Sequence, residues 1–162
     1  MTGLLMIIDV QRGFINEHTR AIPAGIEALQ NGYKSVIATR FINPEGSMHR
    51  RLMGWKRFAP GSGDVELAFT PRHDARVIDK TAYTAASAEL LDELRRGGIE
   101  EVHLCGIATD NCVLKTAVDL FEAGIKPVVL ADHCASHGGP ECHACGIRLL
   151  KRFIGEKQVR GG

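Results

Sequence analysis

Glu101-Val102-His103-Leu104-Cys105-Gly106-Ile107-Ala108-Thr109-Asp110-Asn111-Cys112-Val113 opens as an alternating apolar run, breaks at Gly106 and resumes as a helical pattern. Val113, Ala117, Leu120 and Phe121 then fall three or four residues apart, the spacing of one helix face. A strand that passes through a short turn into a helix presents that turn at the carboxyl edge of a sheet, where open α/β proteins place their chemistry. Cys112 sits in the turn. Thr109 or Asp110 can cap the helix, leaving Cys112 in its first turn near unpaired backbone N–H groups and the positive end of the helix dipole. That setting lowers a thiol's pKa and favours the nucleophilic thiolate. The competing reading is a buried structural cysteine, since free cysteine is among the most buried residue types.

Working outward, strand and helix alternate. Leu4 to Ile8 reads as a buried strand that leaves through the loop Asp9-Val10-Gln11-Arg12-Gly13-Phe14. Pro23 and Gly25 open a weakly amphipathic helix ending near Lys34, and Ser35 to Thr39 is a second strand. From Arg40 to Arg76 the pattern dissolves among Pro44, Gly46, Gly54, Pro60, Gly61, Gly63 and Pro71, and a loop of that length in a compact domain usually serves function. Val77 to Lys80 is a short strand-like piece, and Ala85 to Arg96 a helix stopped by Gly97-Gly98. The helix after Cys112 ends at Gly124. Pro127 to Ala131 is a further strand, Glu141 to Ile154 a last helix, and Gln158-Val159 a short edge strand. This spacing predicts a single domain over residues 1–162, with a doubly wound, mainly parallel sheet covered by helices on both faces.

Composition sets the limits. A chain of 162 residues with 44% hydrophobic and 24% charged residues is ordinary for a globular domain with one core. A formal net charge of +1 gives no electrostatic case for a nucleic-acid partner. The first apolar run has no basic flank and is stopped by Asp9, so it reads as a strand and not a signal peptide, and no stretch approaches a membrane span. The five cysteines are then expected as reduced thiols in the cytoplasm.

Three chemistry-bearing residues stand at equivalent places. Asp9 ends the first strand, Lys80 ends the strand after the long loop, and Cys112 follows the central strand. In a parallel sheet these ends share one edge, so a carboxylate to take a proton, an ammonium to stabilise charge and a nucleophilic sulfur can converge there. An Asp or Lys at a strand end is also an ordinary solvated turn residue.

The order of these motifs resembles the isochorismatase-like cysteine hydrolases, the superfamily that includes nicotinamidase, N-carbamoylsarcosine amidohydrolase and ureidoacrylate amidohydrolase. Asp9-Val10-Gln11-Arg12-Gly13-Phe14 is similar to the family's Asp-x-Gln-x-x-Phe motif, and Lys80 with Tyr83 and Thr84 to its lysine motif. Gly106 to Val113 is similar to its nucleophile motif, and Val128 to Asp132 with Ala135-Ser136 to the strand and turn that follow. The resemblance covers nearly the whole chain. It implies an Asp9–Lys80–Cys112 triad, a cis peptide between Ile107 and Ala108, and an oxyanion hole formed by the N–H groups of Ala108 and Cys112. It also implies a small-molecule substrate and a homo-oligomer, dimer or tetramer.

The departures matter as much. Nicotinamidases carry an Asp-x-His metal motif after the second strand, whereas this chain reads Arg40-Phe41-Ile42-Asn43-Pro44 there, with Phe41 and Asn43 at the ligand positions. No metal and no cofactor is therefore expected, and Cys112 favours an amide, imide or ureido-type substrate. Phe14, Phe41, Trp55 and Phe58 are candidate pocket walls, Gln11 and Asn111 candidate substrate contacts. Between Arg40 and Phe58 the cations outnumber the sole acid, Glu45, which suggests a basic overhang for an anionic substrate. Two alternatives stay open. One is a zinc- or thiol-binding module built on His133-Cys134-Ala135-Ser136-His137 and Cys142-His143-Ala144-Cys145; the other is a hydrolase-like interaction protein without turnover.

Overall fold

The computed structural model describes residues 2–161. Strands β1 (Thr2–Ile8), β2 (Tyr33–Phe41), β3 (Arg76–Lys80), β4 (Glu101–Ile107), β5 (Lys126–Ala135) and β6 (Val159–Arg160) form one sheet in the order β3-β2-β1-β4-β5-β6, every pairing parallel. Helices α1 (Ile22–Leu29), α3 (Ala88–Arg96), α4 (Leu114–Glu122) and α5 (Pro140–Ile154) make the crossovers, with a short α2 (Met48–Met53) inside the long connection. The chain runs outward from β1 to β3 and then returns to β4 on the other side of β1. Right-handed crossovers therefore put α1 on one face and α3, α4 and α5 on the other. This is the doubly wound arrangement that the alternation predicts.

Leu4 through Ile8 of β1 are all buried, and Leu104, Cys105 and Ile107 of β4 are fully so. Central parallel strands covered on both faces have no solvent side, which is why they read as continuous apolar runs. At the carboxyl end of β4 the packing becomes backbone on backbone. Gly106 has φ 121°, and a Cβ there would lie 2.1 Å from the carbonyl oxygen of Ile8. The break in the apolar pattern at Gly106 marks the point where β4 must touch β1 without a side chain between them.

Several elements differ from the periodicity. β5 continues to Ala135, because the step from Leu104 to Gly106 on β4 spans Val129 to Cys134 on β5, an irregularity that no hydropathy pattern records. His133 and Cys134 thus lie in a strand. The long connection is not structureless. Ser47 caps α2 by accepting the Arg50 N–H, and Gly54 ends it at φ 65°. Since α2 buries none of its residues, it has no core-facing stripe for periodicity to find. Among the described residues no helix is long and apolar enough to cross a membrane.

Candidate active site

The strand order reverses between β1 and β4, and the crevice at such a switch point is where doubly wound sheets bind ligands. Asp9 leaves β1 at this point, and Cys112 follows β4. Asp9 has φ 47°, an uncommon conformation for a residue with a side chain. Thr39 on β2 holds it there: its hydroxyl accepts the Asp9 N–H at 3.2 Å and donates to Asp9 Oδ1 at 2.6 Å. The other carboxylate oxygen lies 2.7 Å from Lys80 Nζ, with both side chains buried, 0% and 8% exposed. Lys80 also donates to the carbonyls of Ala82 (2.9 Å) and Tyr83 (3.0 Å), so its three N–H directions each meet an acceptor.

Cys112 sits in a wide turn, Thr109–Val113, that leads into α4. The peptide bond from Ile107 to Ala108 is cis. The N–H groups of Asn111 (3.0 Å) and Val113 (3.1 Å) both donate to the Ala108 carbonyl, and these two bonds step over the Cys112 N–H. α5 presses on the back of the turn at Gly146, where a Cβ would come within 2.7 Å of the Asp110 nitrogen. The Cys112 thiol lies close enough to the Asp9 carboxylate and the Lys80 ammonium for both charges to act on its ionisation. Asp9, Lys80 and Cys112, three strand ends apart in sequence, therefore meet.

The thiol's ionisation differs from the sequence expectation. Burial pushes the Cys112 thiol well above its ordinary value, the Asp9 charge adds to the rise, and Lys80 opposes it. The helix-end effect is overridden because the sulfur is almost wholly removed from water, and desolvation disfavours the charged form. At rest the group is a thiol with a carboxylate in reach to take its proton.

The cleft above Cys112 has a volume of about 380 Å³. Ala108 and Cys112 form its floor, and Phe14, Phe41, Trp55 and Asn111 line it as the sequence suggests, together with Phe58. The rings pack on one another: Phe14 on Phe58 with centroids 4.1 Å apart, Phe41 on Trp55 at 5.7 Å and 12° between planes. Gly13 permits the first contact, since a Cβ there would lie 2.5 Å from the Phe58 ring. His49, Met53, Arg57, Tyr83 and His137 complete the lining. Of these the sequence reading gave a place at the pocket only to Arg57, as one cation of the basic overhang; the presence of histidines and Tyr83 near the motifs hinted at the others.

Gln11, expected at the substrate, is elsewhere. It is fully buried, its Nε2 donates to the carbonyls of Phe41 and Val65 (3.0 Å each), and its Oε1 accepts the Phe41 N–H at 2.7 Å. With donors and acceptor engaged, it clamps the loop after β1 to the end of β2 and so fixes Asp9 and Phe41. Part of the basic overhang is spent elsewhere, while Arg50, Arg51 and Lys56 pair with no carboxylate among the described residues. Arg40 pairs with Asp79, Arg57 with Asp64, Arg72 with Asp74 and Arg76 with Glu93, and of these cations Arg57 alone lines the cleft. Nor do the late cysteines form one site. Cys134 is buried in β5, His137 stands at the cleft, and Cys145 is exposed on α5. Among the described residues no group of three or more His, Cys, Asp or Glu side chains is placed to hold a metal ion.

A nicotinamidase/pyrazinamidase of Mycobacterium tuberculosis is 30% identical over 157 residues, covering 79% of this chain and 83% of its own. A ureidoacrylate amidohydrolase of Acinetobacter baylyi is 32% identical over 155 residues, covering 93% of this chain but 59% of its own length. Among solved structures, the pyrazinamidase of Pyrococcus horikoshii in complex with zinc superposes with a TM-score of 0.80 at 24% identity, covering 98% of this chain and 97% of that one, a likeness of fold.

That zinc poses the question of a metal here, and the side chains do not fit one. Phe41 offers only its ring. Asn43 is consumed, its amide donating to the carbonyls of Trp55 (2.8 Å) and Arg57 (2.9 Å) while Ser47 donates to its oxygen. His49 keeps a buried Nε2 with no hydrogen-bond partner among the described residues, but its ring neighbours are Phe41, Trp55 and Tyr83, not carboxylates. Burial, and then the Lys80 charge, lower its pKa.

The profile of the isochorismatase domain matches residues 3–156. With its parallel sheet order and the motifs that converge at the switch point, the chain belongs to the isochorismatase family.

Proposed function

We propose that this protein is a cysteine hydrolase that cleaves the C–N bond of a small amide-type substrate through a thioester on Cys112. The observation that carries the reading is the convergence of Asp9, Lys80 and the Cys112 thiol at the head of an aromatic cleft. As Sγ attacks the substrate carbonyl carbon, Asp9 takes the thiol proton. The N–H groups of Ala108 and Cys112 receive the oxyanion of the tetrahedral intermediate. Asp9 returns its proton to the leaving nitrogen, the C–N bond breaks, and the acyl group remains on sulfur. Water, deprotonated by Asp9, then attacks the thioester; acid departs and the thiolate regains its proton. Lys80 fixes the Asp9 carboxylate and offsets negative charge on sulfur.

The names of the relatives, a nicotinamidase/pyrazinamidase and a ureidoacrylate amidohydrolase, support an amide-type substrate. The chemistry of Phe41 and Asn43 supports turnover without a divalent ion. The test is a panel of small amides, imides, ureido acids and hydroxamates scored for release of ammonia or acid. At least one amide should be turned over, activity should survive dialysis against a chelator, and hydroxylamine should trap an acyl group carried by Cys112. Hydrolysis undiminished in Cys112→Ala, or restored by zinc after chelation removes it, rejects the mechanism.

A further inference from the structure

An apolar strip runs through the cleft from floor to mouth beside the polar His49, Arg57, Asn111 and His137, and its exposure rises steeply. Phe14, Phe41 and Phe58 are buried, whereas Tyr83 is 39% and Met53 64% exposed, and all five line the same space. A continuous path of rings joins them: Trp55 to Phe41, Phe41 to His49 at 5.0 Å, His49 to Tyr83 at 5.0 Å. Tyr83 Oη then meets Met53 Sδ at 3.9 Å. Beyond the mouth, α2 exposes two more apolar side chains, Met48 and Leu52. Among the described residues at this path no charge is free: Arg57 is held by two hydrogen bonds to Asp64, and Lys80 by Asp9 and two carbonyls. A volume of about 380 Å³ lies within the range of roughly 300–1,000 Å³ typical of sites that bury drug-sized ligands.

We infer that the substrate is a neutral amide whose acyl group carries an apolar extension leaving the cleft over the Tyr83–Met53 pair, an inference that rests on Cys112 being the acyl-accepting nucleophile. The extension belongs to the acyl side for a kinetic reason. The amine departs in the first half-reaction, while the acyl group stays on sulfur through both, so only contacts to the acyl group act on each transition state.

Primary alkanamides from propanamide to octanamide test this. In the wild type, kcat/KM should rise by up to about fourfold per methylene as the chain grows along the path. Met53→Gln and Tyr83→Ser should flatten that dependence, while Phe153→Ser, an exposed position on α5, should keep it. Calorimetric binding of the same series to Cys112→Ala separates the two readings. Affinity that rises with length while the wild type releases no ammonia from any amide keeps the extension and removes the hydrolase reading. Turnover of short amides with flat kcat/KM and flat affinity keeps the hydrolase reading and overturns the extension. A length dependence that survives both Met53→Gln and Tyr83→Ser also overturns it.

Discussion

The same strands carry a buried polar network at each end, and the two are built to different purposes. At the amino edge of the sheet, Tyr33 of β2 meets His103 of β4, Oη to Nδ1 at 2.6 Å. His103 Nε2 lies 2.8 Å from Glu101, and Glu101 pairs with Lys126 at 2.6 Å. At the carboxyl edge, Thr39 of the same β2 meets Asp9, and Asp9 meets Lys80 and Cys112. Burying polar groups is costly unless they are paired, so both networks obey the same rule. The amino-edge chain runs from one protein group to the next and ends at half-exposed Lys126. The carboxyl-edge chain ends on a thiol at the floor of a cleft. Pairing alone marks structure; pairing that ends on a thiol facing open space is what the proposed chemistry requires.

The contrast breaks first at Cys112. Cys112→Ala should lower kcat/KM for any amide substrate by at least about 10³-fold, whereas Tyr33→Phe should change it less than about twofold. Comparable losses from the two substitutions, measured by ammonia release, would erase the distinction. Asp9→Asn should remove turnover as well and also destabilise the fold by about 3–5 kcal/mol, because it leaves the buried Lys80 ammonium without its counter-charge. Denaturant titration reads that cost; the edge position of Asp9 does not spare the fold, contrary to what an exposed strand end would allow.

At the amino edge the effect should be one of stability only. Tyr33→Phe deletes the hydroxyl that bonds His103 and leaves a buried ring nitrogen unpaired, at a cost of about 1–3 kcal/mol. An unfolding midpoint equal to the wild type's would show that water or another group replaces the hydroxyl.

Proton affinity sharpens the comparison further. Burial raises Cys105, Cys112 and Cys134 above the ordinary thiol value of 9.0. A thiol whose folded-state pKa exceeds its unfolded one contributes its full stability below the unfolded value and loses it as pH climbs toward the folded one. Unfolding free energy should therefore fall above pH 9.0. For the same reason iodoacetamide at neutral pH should reach exposed Cys145 before Cys112, and Cys112 should be labelled faster as pH rises. Peptide mass mapping across pH decides it, and rapid labelling of Cys112 at pH 7 would restore the resting thiolate.

Ionic strength should matter least. The loop arginines Arg40, Arg57, Arg72 and Arg76 are each spent on a carboxylate, and Arg50, Arg51 and Lys56, which pair with no carboxylate among the described residues, do not line the cleft, so their charge reaches an anion only through screening solvent. A carboxylate-bearing amide and its neutral analogue should show ratios of kcat/KM that do not change with salt; a strong salt-dependent preference for the acid would reopen the case for a basic overhang.

The amino-acid sequence by itself determined the alternation of strands and helices, the break at Gly106 and the placing of Asp9, Lys80 and Cys112 at strand ends. Those are local facts: apolar period, turn residues, and the rule that parallel strands end on one edge. Phe14 in the loop after β1, Phe41 at the end of β2 and Trp55 in the long connection were also legible as cleft walls. What only tertiary structure decided depends on partners distant in sequence. Gln11 became a clamp because Phe41 and Val65 offer it backbone groups, and the arginines became paired because Asp79, Asp64 and Glu93 lie beside them. The Cys112 thiol keeps its proton because burial, which no local pattern encodes, outweighs the dipole of its own helix.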